Sequence, residues 1–216
     1  MIETKSLHKD NISIGTNSKI LLKKFTKPST LISLGLLFLI IFCAILAPVL
    51  APTNPYDLKV VSILDSRLSP GDKMLNGTVA WLGTDGAGRD VLSAIIFGLR
   101  TSLVVAISSA VIALIAGLFV GLIAGFYGGK IDAFLMRIVD IQLSFPAILV
   151  ALVLLALLGK GIDKVIIALA IVQWAIYART VRAAAIVERN KEYIQAASCL
   201  GLSNSLIIWK HLLPNS

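Results

Sequence analysis

The chain is poor in the residue types that soluble chemistry uses. Of its 216 residues 15% are charged, two are histidine and two are cysteine. His8 and His211 both lie outside the long apolar runs, and no His-Glu-x-x-His occurs. An intramembrane hydrolase needs a nucleophile beside a base, or metal ligands, at the level of the spans, and those groups are missing. No Gly-x-x-x-x-Gly-Lys-Ser/Thr is present; Gly129-Lys130 is followed by Ile131, so the chain carries no phosphate loop for ATP. Cys43 sits in an apolar run and Cys199 near the end of the chain, a placement expected to keep them on separate sides of a membrane with no disulfide between them. No secretory signal is evident, because the first apolar run starts near Leu31 after a long basic arm. The basic residues are spread over short loops and form no basic face, which argues against nucleic acid as a partner.

What remains is apolar. Hydrophobic residues make up 57% of the chain, and mean hydropathy is +0.89. That is too apolar for one soluble core and predicts an all-α, polytopic membrane protein with about four transmembrane helices. The formal net charge of +8 then reports orientation, since basic loops stay on the cytoplasmic side.

Residues 1–30 carry six lysines against two acids and read as a cytoplasmic arm, its last lysines at the lipid headgroups. Residues 31–50 are free of charge and form the first span. Residues 51–100 balance five basic against five acidic residues and are punctuated by Asn54-Pro55, Ser69-Pro70-Gly71, Asn76-Gly77 and Gly86-Ala87-Gly88. They read as an extracytoplasmic loop, with a short interfacial helix expected over about 88–99. The remainder, 101–216, holds spans at about 101–126, 134–158 and 165–182 and a terminal polar segment at 183–216.

In the second span Ser109, Ala113, Gly117, Gly121 and Gly125 recur every four residues, a helix-packing face for another span to approach closely. In the third, Arg137 and Asp140 are three residues apart and are expected to pair near the cytoplasmic interface, and Pro146 predicts a kink. Trp174 and Tyr177 read as interface anchors or as lining of a transport path, and Arg179 and Arg182 as side chains that snorkel to the surface. Basic residues outnumber acids five to two from 179 to 216, so both termini are expected in the cytoplasm.

The terminal segment is the most informative. Val187 to Leu200 suits a helix, Gly201 the position after its end, and Ser203 or Asn204 the cap of a second helix that Pro214 closes. Gln195-Ala196-Ala197, three residues, Gly201, nine residues, then His211-Leu212-Leu213-Pro214 is the layout of a docking element for a partner's groove. At these residues the chain resembles the permease subunits of bacterial binding-protein-dependent ABC importers. The likeness extends to the second, C-type permease of dipeptide, oligopeptide and nickel systems through Asn54-Pro55-Tyr56, Leu82-Gly83-Thr84-Asp85-Gly86-Ala87-Gly88-Arg89-Asp90-Val91-Leu92-Ser93, Gly98-Leu99-Arg100-Thr101-Ser102-Leu103 and Trp174 to Arg182. It covers roughly residues 28–216. Gln195 replaces the usual acid, Ala94 a common Arg and Trp81 a common His.

The resemblance implies a multi-pass subunit of the bacterial inner membrane that binds no cofactor itself. Its implied partners are membrane lipid, a second (B-type) permease, two cytoplasmic ATPase subunits that hydrolyse the ATP, and an extracytoplasmic peptide-binding protein. The implied ATPase-coupling residues are Gln195, Ala196, Ala197, Gly201, Leu213 and Pro214; Gly117, Gly121 and Gly125 form the packing face. Di- and oligopeptides are the implied cargo, with nickel or glutathione-like peptides as alternatives. The family adds two spans after the Leu-Pro, so against it the chain reads as C-terminally truncated, and a remnant or membrane scaffold is the other reading.

Overall fold

The computed structural model describes residues 27–57 and 59–215. The expected cytoplasmic arm lies almost wholly outside the described residues. Among those residues there is no strand, only two isolated antiparallel bridges, Lys73 to Val79 and Thr84 to Asp90. Three helices are long and apolar enough to cross a membrane, or four if one bent pair of helices counts as a single span. The protein is an all-α polytopic membrane protein. It divides into two compact units, the first ending at Thr101 and the second beginning at Ser102.

In the first unit, α1 (Pro28–Ile45) starts with a proline, whose missing N–H is no loss in a first turn, and carries no charge. Its leucines, isoleucines and phenylalanines are mostly exposed, as suits a helix whose solvent is lipid. A break at Leu46 separates the one-turn α2 (Ala47–Leu50).

The stretch from Ala51 to Asp90 has almost no regular structure, so side chains replace the missing backbone partners. The Ser62 hydroxyl caps a single 3-10 turn, Ile63–Asp65. Asp65 is buried, and its Oδ1 accepts the Leu75 N–H at 2.9 Å. The buried Thr84 hydroxyl donates to the Asp65 carbonyl and accepts the Leu68 N–H at 2.8 Å. Asp90 Oδ2 accepts the Ser93 N–H at 2.8 Å and its hydroxyl at 2.6 Å, and Ser93 Oγ accepts the Thr53 N–H at 3.1 Å. Gly83, at φ 77°, fits where a Cβ would lie 2.5 Å from the Leu68 carbonyl oxygen. Asp85 closes the neighbouring turn. Burial pushes its carboxyl up, but hydrogen bonds from Arg89 and Ala87 and the Arg89 charge outweigh that and hold it below its ordinary value.

α3 (Val91–Tyr127) is one continuous helix of 37 residues. At ~1.5 Å per residue it is about 55 Å long, well beyond the ~30 Å of a bilayer's apolar core. No separate helix stands over 88–99; no residue between Val91 and Thr101 breaks the helix, so the expected interfacial turn is simply its beginning.

The second unit is built on α6 (Ile162–Arg189), a 28-residue helix. α3 lies against it along the small-residue stripe. A Cβ on Gly117 would come within 2.7 Å of the Trp174 carbonyl oxygen and 2.8 Å of the Ala178 nitrogen. On Gly121 it would meet the Ala178 carbonyl oxygen at 2.6 Å, and on Gly125 the Ala185 Cβ at 2.6 Å. Backbone touches backbone here, and any side chain would separate the helices.

The broken span comprises α4 (Gly129–Ser144) and α5 (Ala147–Leu158), bent by 89°. Pro146 predicts a kink; the observed break is sharper because Phe145, the residue before proline, is extended at φ −93°, ψ 141°. α4 packs on α6 through buried Val139, Ala175 and Ala178, with Val120, Met136, Leu143 and Trp174 around them. Trp174 thus packs against this helix contact, partly buried.

The charged pairs also differ from expectation. Asp140 pairs with Arg179 of α6, not with Arg137 on its own helix, and Arg182 pairs with Asp132. Two acids on α4 face two arginines on α6, so each of these charges finds its counter-ion across the helix interface.

Candidate coupling segment

α6 ends at Arg189, and an elbow at Asn190–Lys191 leads into α7 (Glu192–Cys199). A single helix over Val187 to Leu200 is therefore not what forms; it is interrupted where Lys191 turns to extended backbone. Two clasps fix the elbow. The Arg189 guanidinium donates to the Phe126 carbonyl at 2.8 Å, satisfying a free carbonyl in the last turn of α3. The Glu188 carboxylate, almost fully buried, accepts from the Tyr193 hydroxyl and pairs with Lys191 Nζ at 2.7 Å.

α7 closes as the glycine pattern predicts. Gly201 has φ 75°, its N–H donates to the Ser198 carbonyl at 3.1 Å, and the Leu202 N–H donates to Ala197 at 3.3 Å. That pair of bonds is a Schellman closure, which needs the left-handed residue glycine supplies. The Ser203 hydroxyl accepts the Leu206 N–H at 3.4 Å and starts α8 (Asn204–Leu206). The chain continues as a wide π turn over Ile207–Leu212 and a 3-10 turn over Leu213–Asn215.

The segment is seated on the helical body by its apolar side. Ile194, Ala197 and Ile207 form a buried cluster with Phe126 and Leu202 against it. Ile208 and Leu212 join Leu122 of α3 and Ala185 of α6, with Leu213 packed beside them. The Trp209 ring meets Phe119 edge-on at 5.3 Å.

The six residues expected to couple therefore divide. Ala197 faces inward, 6% exposed, and Leu213 is half-buried. Gln195, Ala196, Gly201 and Pro214 are on the outside, and Leu200 is 81% exposed. Gln195 turns its amide back to the Asn190 carbonyl at 3.2 Å. A cleft of about 390 Å³ opens beside α7, lined by Arg189, Asn190, Gln195 and Cys199 among others. Among the described residues no cluster of metal-binding side chains occurs.

Sequence reasoning missed Asp132, Glu188 and Tyr193, which hold the segment's base. For Asp132 the signal was arithmetic: Arg182 has no acid three or four residues away on its own helix, so its counter-ion had to come from another.

Residues 117–216 match the binding-protein-dependent transport system inner membrane component family, and residues 24–70 match the N-terminal TM domain of oligopeptide transport permease C. Over both of these stretches the chain is similar to the binding-protein-dependent transport permeases. The di/tripeptide transport system permease protein DppC of Pseudomonas aeruginosa is 40% identical over 184 residues, covering 84% of this chain and 59% of the relative. The dipeptide transport system permease protein DppC of Escherichia coli K12 is 45% identical over 184 residues, 84% of this chain and 60% of the relative. The oligopeptide transport system permease protein OppC of Bacillus subtilis is 31% identical over 186 residues, 86% and 58%. The chain thus spans about three fifths of the length of these curated relatives.

Proposed function

We propose that this permease chain carries di- and oligopeptides inward across the cytoplasmic membrane, as half of a pore completed by a B-type permease. An extracytoplasmic binding protein delivers the peptide. Two ATPase subunits on the cytoplasmic side hydrolyse ATP and dock on the 192–214 segment; the chain itself binds no cofactor. Both termini and the α3–α4 turn are cytoplasmic, and the 51–90 loop is extracytoplasmic, as the distribution of Lys and Arg favours.

The observation that carries this reading is the division of the coupling segment. One side is rooted in the α3–α6 body through Ile194, Ala197 and Ile207, while Ala196 and Leu200 remain outside. A short helix fixed at its base and apolar at its exposed end fits a partner's groove. Push or pull on that helix reaches the spans directly.

The reading is tested by uptake in vesicles containing this chain, a B-type permease, two ATPases and a binding protein. Labelled dipeptide should accumulate with ATP and not without it. Uptake of Ni2+ in place of peptide selects the nickel alternative, and uptake of neither selects the scaffold.

A further inference from the structure

The polar contacts around the end of α6 form a set that docking alone does not require. Three elements are tied to it by three different groups. Arg182 binds Asp132 in the first turn of α4 through two hydrogen bonds, one from Nε to Oδ1 and one from Nη2 to Oδ2 at 2.5 Å. Arg189 holds the last turn of α3, and Glu188 holds Tyr193 of α7. The Asp132 side chain is 17% exposed and that of Arg182 31%, whereas the Arg179–Asp140 pair one turn away is more than half exposed. A two-pronged guanidinium–carboxylate contact fixes direction as well as distance, unlike a lysine contact or an apolar patch that can slide. α4 in turn leads straight to the extended Phe145 and the 89° break before α5.

We infer that Asp132 and Arg182 form a strut that passes displacement of the coupling segment into α4 and so to the broken span. Both are positioning residues: they touch neither cargo nor nucleotide. The inference rests on the proposed docking of ATPases on the segment. Apolar packing at Val139, Ala175 and Ala178 keeps α4 beside α6 without the pair, but leaves α4 free to slide along it. Loss of the pair therefore uncouples the complex without dismantling it.

The test uses the assembled complex and the variants D132N, R182Q and D132R together with R182D. The single variants should retain bound ATPase subunits and their ATP hydrolysis, while peptide taken up per ATP falls at least about ten-fold. The exchanged pair should recover most of that ratio, because the contact is restored with its ends reversed. Unchanged uptake per ATP in the single variants overturns the strut, as does loss of the ATPase subunits from them, which marks a role in folding alone. If the unmodified chain binds no ATPase, the docking reading fails instead, and a second measurement still judges the strut. Spin labels at A133C and native Cys199, with C43S, report the α4–α7 distance in the chain alone. A narrow distribution that broadens in D132N and narrows again in the exchanged pair supports the strut; equal widths in all three overturn it.

Discussion

The 51–90 loop and the α3–α6 contact are both tightly organised, by opposite means. In the loop the backbone has few partners of its own, and order comes from side chains added: the Asp65 carboxylate, the Thr84 hydroxyl, the Asp90–Ser93 pair. In the helix contact the backbone is already satisfied, and order comes from side chains removed, at Gly117, Gly121 and Gly125. Outside regular structure a buried polar group replaces a ladder bond, and within lipid the absence of a side chain lets dispersion act between backbones. The two regions should therefore break in different ways.

The largest effect is expected from G121L. A side chain there meets backbone at 2.6 Å, and overpacking of this kind costs about 3 kcal/mol or more. G98L, on the same helix with nothing within 4 Å, is the control and should be near neutral. Thermal unfolding in detergent reads both, and equal melting of the two variants would remove the argument from close approach.

Next comes D65A. It removes the buried acceptor of the Leu75 N–H and should cost about 1.5–3 kcal/mol, the range for a hydrogen bond to a charged group. D65N keeps an acceptor and removes a charge whose Oδ2 is buried without a partner, so it should cost less than D65A. Hydrogen exchange at Leu75 separates them; equal loss of protection would show that the charge, not the acceptor, matters.

How far the two regions were legible in the sequence follows the same division. The glycine spacing announced a packing face because helical periodicity places every fourth residue on one side, and the partner helix needs no motif of its own. The loop's residues stood out as a pattern of Gly, Thr and Asp, and the Asp90–Ser93 contact is local, but Asp65 meets Leu75 and Thr84 meets Leu68 across ten and sixteen residues, and no local period encodes those. In the coupling segment, Gly201 was legible because a left-handed residue must end that helix. The inward turn of Ala197 was not, since it depends on Ile207 and Phe126 from elsewhere. Asp132 was read as part of a turn because its partner lies 50 residues away.

A smaller effect is expected of G201A. The site is open, but φ is 75°, and the strain should be about 1 kcal/mol. G201N should lose less, because Asn tolerates that region. Proteolysis at Leu202 measures the opening of the segment, and equal rates for the two variants would contradict the Schellman assignment.

The smallest effect is that of pH on the loop. The folded Asp85 carboxyl lies below its ordinary value, so its stabilisation is complete above the unfolded-state value of about 3.9 and is lost as pH falls through the lower folded value. Exchange at the Ala87 and Arg89 amides should rise only in that acid range, and D85N should abolish the dependence.

The central claim is that the coupling segment is rooted on one side and open to a partner on the other. It is tested most directly by co-purification of the ATPase subunits with three forms of the chain. The unmodified chain should retain them. A196R should lose them while its thermal unfolding is unchanged, because Ala196 is exposed. A197R should lose them together with a lower melting temperature, because a charge is forced into the Ile194–Ile207 cluster. An A196R chain that melts normally and still holds its ATPases would contradict the account.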